Sequence, residues 1–421
     1  MEYTKREVLQ YIEENNVKFI KLFFVDIFGD VKSISIQPAL LNKAFEEGIS
    51  FDASAVKGFL NETTSDLFIV PDPATLSVLP WRPQHGRVAR LYCDIRYLDG
   101  TPFAGDSRLI LQNVIDRCKK MGYETKIGTE CEFYLFKLDD NGQPTNIPHD
   151  NAGYCDLAPL DKGENVRRDI ILTLEQMGIQ PETSHHENGP GQNEIDFRYN
   201  STMQAADNLS TFKMAVRTIA AQDGLFASFM PKPFENKSGS GLHVNISLHK
   251  DGENIFGKDS PESKYFIAGI LNHIREITAF LNPLQQSYKR LGEFEAPKYV
   301  SWSSQNRSPL IRVPAATGDA IRIEVRSPDS SCNQYIALAL LIAAGLDGIE
   351  KKMPLMPPEN KNLLEMPENE LKHLERLPAS LKEALDLAKN SKFVQSVIPE
   401  LTLNTFIQTK SRCEDPAFGM V

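Results

Sequence analysis

Two pairs of glutamates define the chemistry open to this sequence. Glu130 and Glu132, in Gly128-Thr129-Glu130-Cys131-Glu132-Phe133, are two apart, so on a strand both side chains leave the same face. Cys131, Phe133 and Leu135 leave the other face, and such neighbours predict burial. Two buried carboxylates side by side repel unless a cation lies between them. Glu187 and Glu194 form the second pair, in the stretch from His185 to Arg198, on either side of Gly189-Pro190-Gly191. Proline removes a donor and glycine favours bends, so this triplet predicts a loop that folds back on itself. Such a loop can aim both carboxylates at one point, as hard divalent cations require. Taken by itself the stretch suits a solvated polar turn equally well; its company elsewhere in the chain favours the metal.

That company is mostly cationic. In Ile321-Arg322-Ile323-Glu324-Val325-Arg326, Arg322, Glu324 and Arg326 share one strand face. On a surface this is a weak ladder of ion pairs. In a cleft it holds a metal on Glu324 and anions on the arginines. The loop Ser238-Gly239-Ser240-Gly241 enters a strand whose His243, Asn245 and Ser247 line one face. Lys289, Arg290, Arg307 and Arg312 gather around two loop acids, Glu293 and Glu295, at spacings that fit no helical stripe. Asp52, in Ser50-Phe51-Asp52-Ala53-Ser54-Ala55, reads first as a helix cap in a small-residue loop. Glu130, Glu132, Glu187, Glu194, Glu324 and His243 together could bind roughly two or three Mg2+ or Mn2+ ions. Neither a Walker-type phosphate loop nor a G-x-G-x-x-G fingerprint is present. Spacing therefore leads to metal-dependent chemistry on a polyanion, with phosphoryl transfer from a nucleotide as the leading case.

The elements that must position these groups follow from patterning. Residues 5–16 predict a helix with Val8, Leu9 and Ile12 on one face. Strands at 19–26 and 31–36 meet at Gly29-Asp30, a hairpin signal, and further strands are expected at 67–70, 76–79 and 89–94. After a turn at 98–102, strands and long helices alternate. Helices are expected at 107–121, 164–177, 204–222, 261–281 and 333–350. Strands are expected at 126–137, around 181–199, near 226–230, at 242–249, near 309–313 and at 320–326. Beyond the proline-rich 353–358 the chain reads as helical and charged. The class is α+β, with a small first domain over residues 1–100 and a second over 105–421.

Totals narrow the class further. A chain of 421 residues exceeds what one core usually holds. Its 41% hydrophobic and 24% charged content is that of an ordinary globular protein. A net charge of −10 argues against nucleic acid as the main partner. The six cysteines form no C-x-x-C pair, which predicts buried, inert thiols in a reducing compartment. With neither a signal pattern nor an apolar run long enough for a membrane span, the expectation is a cytoplasmic protein with no membrane partner.

In this order, these segments resemble glutamine synthetase of the bacterial type I class, from the first hairpin to about residue 352. The likeness is carried by Phe51-Asp52-x-Ser54, Gly128-Thr129-Glu130-Cys131-Glu132-Phe133, Gly153-Tyr154 before Asp156-Leu157-Ala158-Pro159, and His185-His186-Glu187 with Glu194. Gly241-Leu242-His243, Lys289-Arg290-Leu291, Asn306-Arg307-Ser308 and Arg322 to Asp329 complete it. The resemblance implies a β-grasp N-terminal domain and a large catalytic domain with a curved antiparallel sheet, which forms a funnel with a neighbouring subunit's N-domain. It implies an ATP-dependent ligase in which glutamate is phosphorylated on its γ-carboxylate and ammonia displaces phosphate. Glu132, Glu187 and Glu194 resemble the ligands of one metal, and Glu130, His243 and Glu324 those of another. Arg290, Arg307 and Arg326 match clamps for glutamate and the transferred phosphate, with Gly239 in the substrate loop. Arg312 and Arg322 match nucleotide-phosphate contacts, and Glu182, Tyr199 and Ser247 lie where the nucleotide is held. Asp52 matches the residue that helps deprotonate ammonium, Tyr154 a wall of that pocket, and Glu295 the carboxylate of a closing flap. A homo-oligomer is implied, a hexameric ring stacked as a dodecamer.

Four positions depart from the family pattern: Ala55, Ser238, Thr317, and a flap, Leu291 to Glu295, that is one residue short and carries an extra acid. They keep open a γ-glutamyl ligase that takes a larger primary amine or polyamine. A non-catalytic relative is the third reading, disfavoured because unpaired buried carboxylates are costly to keep. No adenylylation tyrosine is evident in Asn362-Leu363-Leu364-Glu365, and the tail is short.

Overall fold

The first hairpin forms where alternation and turn chemistry place it. Strands Val17–Val25 and Val31–Ile36 pair antiparallel from Ile20↔Ile36 to Val25↔Val31. Strand Arg87–Arg96 lies parallel to Val17–Val25, and Asp66–Pro71 and Ile49–Asp52 continue the sheet antiparallel. A short strand, Ser77–Val78, pairs with Arg87–Arg96. The helix Lys5–Glu14 opens with a capping box between Thr4 and Glu7 and buries Val8 and Ile12. This mixed, six-stranded sheet with its short helices has the β-grasp form expected of the N-terminal region. In the computed structural model, residues 3–59, 65–82, 85–258, 260–412 and 415 are described.

A second sheet, of eleven strands, supplies the scaffold for the clustered acids. Its main path runs Trp302–Ser303, Ile311–Arg312, Ile323–Val325, Leu242–Lys250, Tyr123–Leu138, Gln192–Phe197, Pro181–His186. All of these pairings are antiparallel except Trp302–Ser303 with Ile311–Arg312, which is parallel. The 16-residue strand Tyr123–Leu138 is the spine, pairing with Leu242–Lys250 on one edge and Gln192–Phe197 on the other. Behind it lie the helices Ser107–Lys120, Glu164–Gln176, Thr202–Gln222, Pro261–Leu281 and Gln334–Lys351. The last is buried on every face from Gln334 to Gly348, so its apolar run is a core helix. Among the described residues no helix is long and apolar enough to cross a membrane.

One apolar core runs through both sheets, and an ion-pair hub fastens them. Arg108, 3% exposed, sits just past the Asp106 cap of its helix. It reaches Asp94 at 2.7 Å and Asp72 at 3.0 Å on the N-terminal side, and Asp207 at 2.9 Å on the Thr202–Gln222 helix. Tyr335 donates to Asp207 at 2.6 Å, so the core helix joins the hub. Asn333, the cap of that core helix, also donates to the Asp26 carbonyl at 3.1 Å and the Ser107 hydroxyl at 2.9 Å.

Three expectations are corrected. Ser50–Ala55 is not a loop throughout: Ile49–Asp52 is a strand and Ala53–Ala55 a single 3-10 turn capped by Asp52. The thiols are not uniformly buried: Cys93, Cys118, Cys131 and Cys332 are, but Cys155 is exposed. Cys413 and the tail from Ala417 to Val421 lie outside the described residues. The C-terminal part is helical only from Leu381, as Leu381–Asn390, Lys392–Val397 and Glu400–Arg412.

Removing one partner from a buried ion cluster strands the others. Arg108→Met is therefore expected to cost about 3–5 kcal/mol, read as a lowered urea midpoint.

Candidate active site

The expected acids come together because they occupy one face of neighbouring strands in matching register. His243 lies opposite Glu130, which lies opposite Asp196. In the next row Glu132 pairs with Glu194, and Glu194 with His185. On the other side Arg312 pairs with Glu324, and Glu324 with Asn245. Side chains facing each other across antiparallel strands stand about 5 Å apart at Cβ. The register thus builds a carpet of carboxylates that no single segment contains.

Donors divide this carpet unequally. The His243 Nδ1 lies 3.0 Å from Glu130 and 3.6 Å from Glu324, and Asn245 donates to Glu130 at 2.9 Å. Burial would push Glu130 up, but the His243 and Asn245 hydrogen bonds bring it down to about 2. Glu324, 1% exposed, is gripped by Arg326 at 2.5 Å and Arg312 at 2.9 Å. His185 sits 2.9 Å from Glu187, and against the push of burial this bond lowers the Glu187 carboxyl. Glu132 and Glu194 fare differently. Burial raises Glu132, and burial together with repulsion from Glu132, Asp196, Glu130 and Glu187 raises Glu194 well above the ordinary range.

A divalent cation fits this deficit. Ligand atoms of Glu130, His243 and Glu324 all lie within 4.8 Å of one another, as do those of Glu132, Glu194 and His243, and those of His185, Glu187 and Glu194. Ligands at about 2.1 Å from one ion sit roughly 3–4 Å apart, so small side-chain shifts close these sets. The donors are carboxylate oxygens and imidazole, the set that magnesium and manganese take. A fourth set, Glu130, Glu194 and Asp196, shares members with these. Asp150, Asp161 and His186 also converge, but Asp150 already accepts from His186, Gly191 and Lys162, and Asp161 from Arg167.

The carpet floors a cavity of about 560 Å3, into which the loops contribute Tyr154, Ser238, Gly239, Glu293, Phe294, Glu295, Arg307 and Ala315. The short helix Gln285–Arg290 contributes its last residue, and Arg312, Arg322 and Arg326 lie on or beside the strands Ile311–Arg312 and Ile323–Val325. Arg290 is buried and held by the carbonyls of Ser327 at 2.9 Å and Arg326 at 3.2 Å. Arg322 bonds Asn245 at 3.0 Å. Glycine is required at 239 and 241: an added Cβ would stand 2.3 Å from the Pro231 carbonyl at the first and 2.5 Å from Arg290 Nη2 at the second. Tyr154 packs edge-on against His185 at 5.2 Å, and Glu295 lies 3.9 Å from Arg326.

Four predicted residues stand away from this cavity. Glu182 and Tyr199 line a second cleft, of about 590 Å3, with Arg198, Asn200 and Asn208. Ser247 is buried two positions beyond Asn245, its hydroxyl 3.1 Å from His249 Nε2. Asp52 lies in the N-terminal sheet, exposed, where the Ser54 hydroxyl and amide hold its carboxyl below the usual range. Sequence reading passed over His185, Gln192 and Asp196, which face the site. Strand alternation from Glu187 and Glu194 marks all three.

Comparison with known proteins agrees with this geometry. Residues 16–97 match the family described as glutamine synthetase, beta-Grasp domain, and residues 104–418 that described as glutamine synthetase, catalytic domain. A glutamine synthetase of Methanosarcina mazei is 48% identical over 416 residues, covering 97% of this chain and 93% of the relative. One from Clostridium saccharobutylicum is 45% identical over 418 residues, covering 97% and 94%. Among solved structures, a GmaS/ADP complex has a TM-score of 0.87 at 28% identity, covering 96% of this chain and 94% of the other. Plasmodium falciparum glutamine synthetase has a TM-score of 0.86 at 27% identity, covering 97% and 95%.

The metal-free protein should bear the cost of this crowding. A carboxyl whose folded pKa is raised binds its proton more tightly folded than unfolded, so its contribution is most favourable below the unfolded value of 4.5 and is lost as pH rises through the folded one. Glu194→Gln should therefore stabilise the metal-free protein at pH 8, by on the order of 1 kcal/mol, with the gain vanishing at pH 4. Thermal melts in chelator at the two pH values check this.

Proposed function

The chain belongs to the glutamine synthetase family and is an ATP-dependent carbon–nitrogen ligase, joining ammonia to the γ-carboxylate of glutamate through γ-glutamyl phosphate; from that premise we propose how its residues divide the work. The observation that carries the reading is the meeting of Glu130, Glu132, Glu187, Glu194 and His243 around one cavity beneath the arginines, with Glu324 buried beside Glu130 and His243. In our reading Glu130, His243 and Glu324 hold one Mg2+ or Mn2+, and Glu132, Glu187 and Glu194 a second, with room for a third. When bound, these ions offset the negative charge of the phosphoryl oxygens. The raised Glu132 and Glu194 support this, since a cation beside them would offset the burial and repulsion that push them up.

Gly239 and Arg290 take the glutamate, the glycine by admitting its backbone close to the loop. Arg326 and Arg307 clamp its γ-carboxylate and the transferring phosphoryl group. Arg312 and Arg322 face the nucleotide phosphates, and the cleft with Glu182 and Tyr199 receives the rest of the nucleotide, with Ser247 behind it. The γ-carboxylate oxygen attacks the terminal phosphorus and ADP leaves. Asp52 takes a proton from ammonium, the ammonia nitrogen attacks the acyl carbon, and phosphate departs with a second proton from the nitrogen, leaving the amide. Tyr154 walls that pocket and Glu295 closes over it, excluding water from an easily hydrolysed acyl phosphate.

Asp52 lies outside the cavity lined by its own chain, which supports a site completed by the N-terminal domain (residues 1–100) of a second copy set against the catalytic domain (105–421). We take the assembly to be a hexameric ring stacked as a dodecamer, acting in the cytoplasm. A larger amine as acceptor is the second reading, favoured by the short flap, whose Phe294 is held at φ +54 with Lys232 4.5 Å from its ring centre.

Phosphate release with glutamate and ATP should saturate with ammonia at low concentration and respond poorly to methylamine, ethanolamine and putrescine; the reverse order would favour the second reading. Arg307→Ala should lower kcat by about 10²–10³ with the melting temperature unchanged. Mixed and reassembled Asp52→Asn and Arg307→Ala chains should regain activity that neither has alone, because some sites would then carry both wild-type residues.

A further inference from the structure

Gln192 is fully buried beneath the site, and both N–H groups and the oxygen of its amide have partners. Its Nε2 donates to Glu132 Oε2 at 3.0 Å and to the Gly239 carbonyl at 3.1 Å. Its Oε1 accepts from the Gly189 amide at 2.8 Å, with the Tyr134 hydroxyl 3.4 Å away. This orientation is forced: flipped, the amide would set its oxygen against a carboxylate and a carbonyl, and its NH2 against the Gly189 N–H.

The partners close a ring. Glu132 Oε2 also accepts from the Gly241 amide at 2.8 Å. From Gly241 the chain runs back two residues to Gly239, whose carbonyl returns to Gln192. Both donors fall on Oε2. The other oxygen, Oε1, lies 3.9 Å from Nε2 of His243, a fellow member of the ligand cluster. Tyr134 fastens the same loop one residue earlier, donating to the Ser238 carbonyl at 2.5 Å, but has no bond to Glu132 among those described. At the far end, an added Cβ on Gly189 would stand 2.7 Å from Gln192 Oε1, so the turn between Glu187 and Glu194 is packed onto the same amide.

We propose that Gln192 is a positioning residue that couples metal binding at Glu132 to the shape of the Ser238–Gly241 substrate loop, with Glu132 serving as a one-oxygen ligand through Oε1. This rests on the reading that Glu132 holds a metal and Gly239 receives glutamate. An ion drawing charge onto Oε1 polarises and fixes the carboxylate. Its Oε2 then orients Gln192 and the Gly241 amide, and through them the glycine loop. Metal and amino acid should therefore bind cooperatively, and the cooperativity should reside in one amide.

The test uses the full-length protein and Mn2+, followed by electron paramagnetic resonance, with glutamate binding measured calorimetrically with and without Mn2+. In wild type, Mn2+ should tighten glutamate at least about fivefold, the low end of ordinary coupling. In Gln192→Met, which keeps length but has no amide, that factor should fall to near one while Mn2+ still binds. Tyr134→Phe, which frees the loop without touching Glu132, should keep it. Amide exchange on wild type gives a second measure that needs no variant: Mn2+ should slow exchange across residues 238–241. An unchanged coupling factor in Gln192→Met, equal loss in Tyr134→Phe, or no slowing in wild type would each overturn the proposal. Failure of Mn2+ to bind wild type at all would instead sink the metal reading beneath it.

Discussion

Electrostatic repulsion among carboxylates on one sheet face is the constraint around which this molecule is arranged. Glu130, Glu132, Glu194, Asp196 and Glu324 project from adjacent strands, with Glu187 at the strand end, and a protein interior does not tolerate such crowding without compensation. Compensation here is deliberate and partial. Arg312 and Arg326 neutralise Glu324, His243 and Asn245 serve Glu130, and His185 serves Glu187. Glu132 receives neutral amide donors, and Glu194, among the described residues, has His185 3.9 Å away besides its acidic neighbours. Protein groups thus stabilise part of the charge and leave a deficit at the centre, where a divalent ion is worth most.

Such a deficit survives only on a stiff base. The 16-residue central strand is paired along both edges, and the core helix behind it is buried on every side. Arg108 binds three aspartates from two parts of the chain, and Asn333 holds the start of the core helix to the Asp26 carbonyl and Ser107. With the strands unable to slip, each acid keeps its neighbour. A one-residue slip would send every ligand to the opposite face. Precision in the site is therefore bought with packing far behind it.

The rim of the cavity is built differently, from exposed loop residues. The loop Leu291–Glu295 turns through Gly292 at φ +85 and Phe294 at φ +54, with Glu295 exposed over Arg326. Arg307 is exposed beside it, and Tyr154 stands on a loop next to the exposed Cys155. A rigid floor of strand residues and a loop-borne rim suit a reaction that must first bind charged substrates and then shut out water. The glycine loop stands between the two regimes, tied to the floor by Gln192 and Tyr134.

Much of this was legible in the residues. Period-two alternation placed Glu130 with Glu132, and Arg322, Glu324 and Arg326 together, because side-chain direction on a strand is a local property. The Gly-Pro-Gly turn predicted a hairpin at Glu187 and Glu194, and long apolar periodicity placed the major helices. Motif order supplied the family, and with it the roles proposed for residues such as Arg307. Other features depend on contacts between distant segments. Register decided that Glu132 meets Glu194, that Glu194 meets His185, and that Gln192 lies under the glycine loop. Segment 50–55 read as a loop because only pairing with Asp66–Pro71 makes Ile49–Asp52 a strand. Alternation within a segment is written in its own residues. The partner a strand takes, and the offset at which it takes it, is settled by burial and hydrogen bonding across the whole fold, and those are properties of no segment alone.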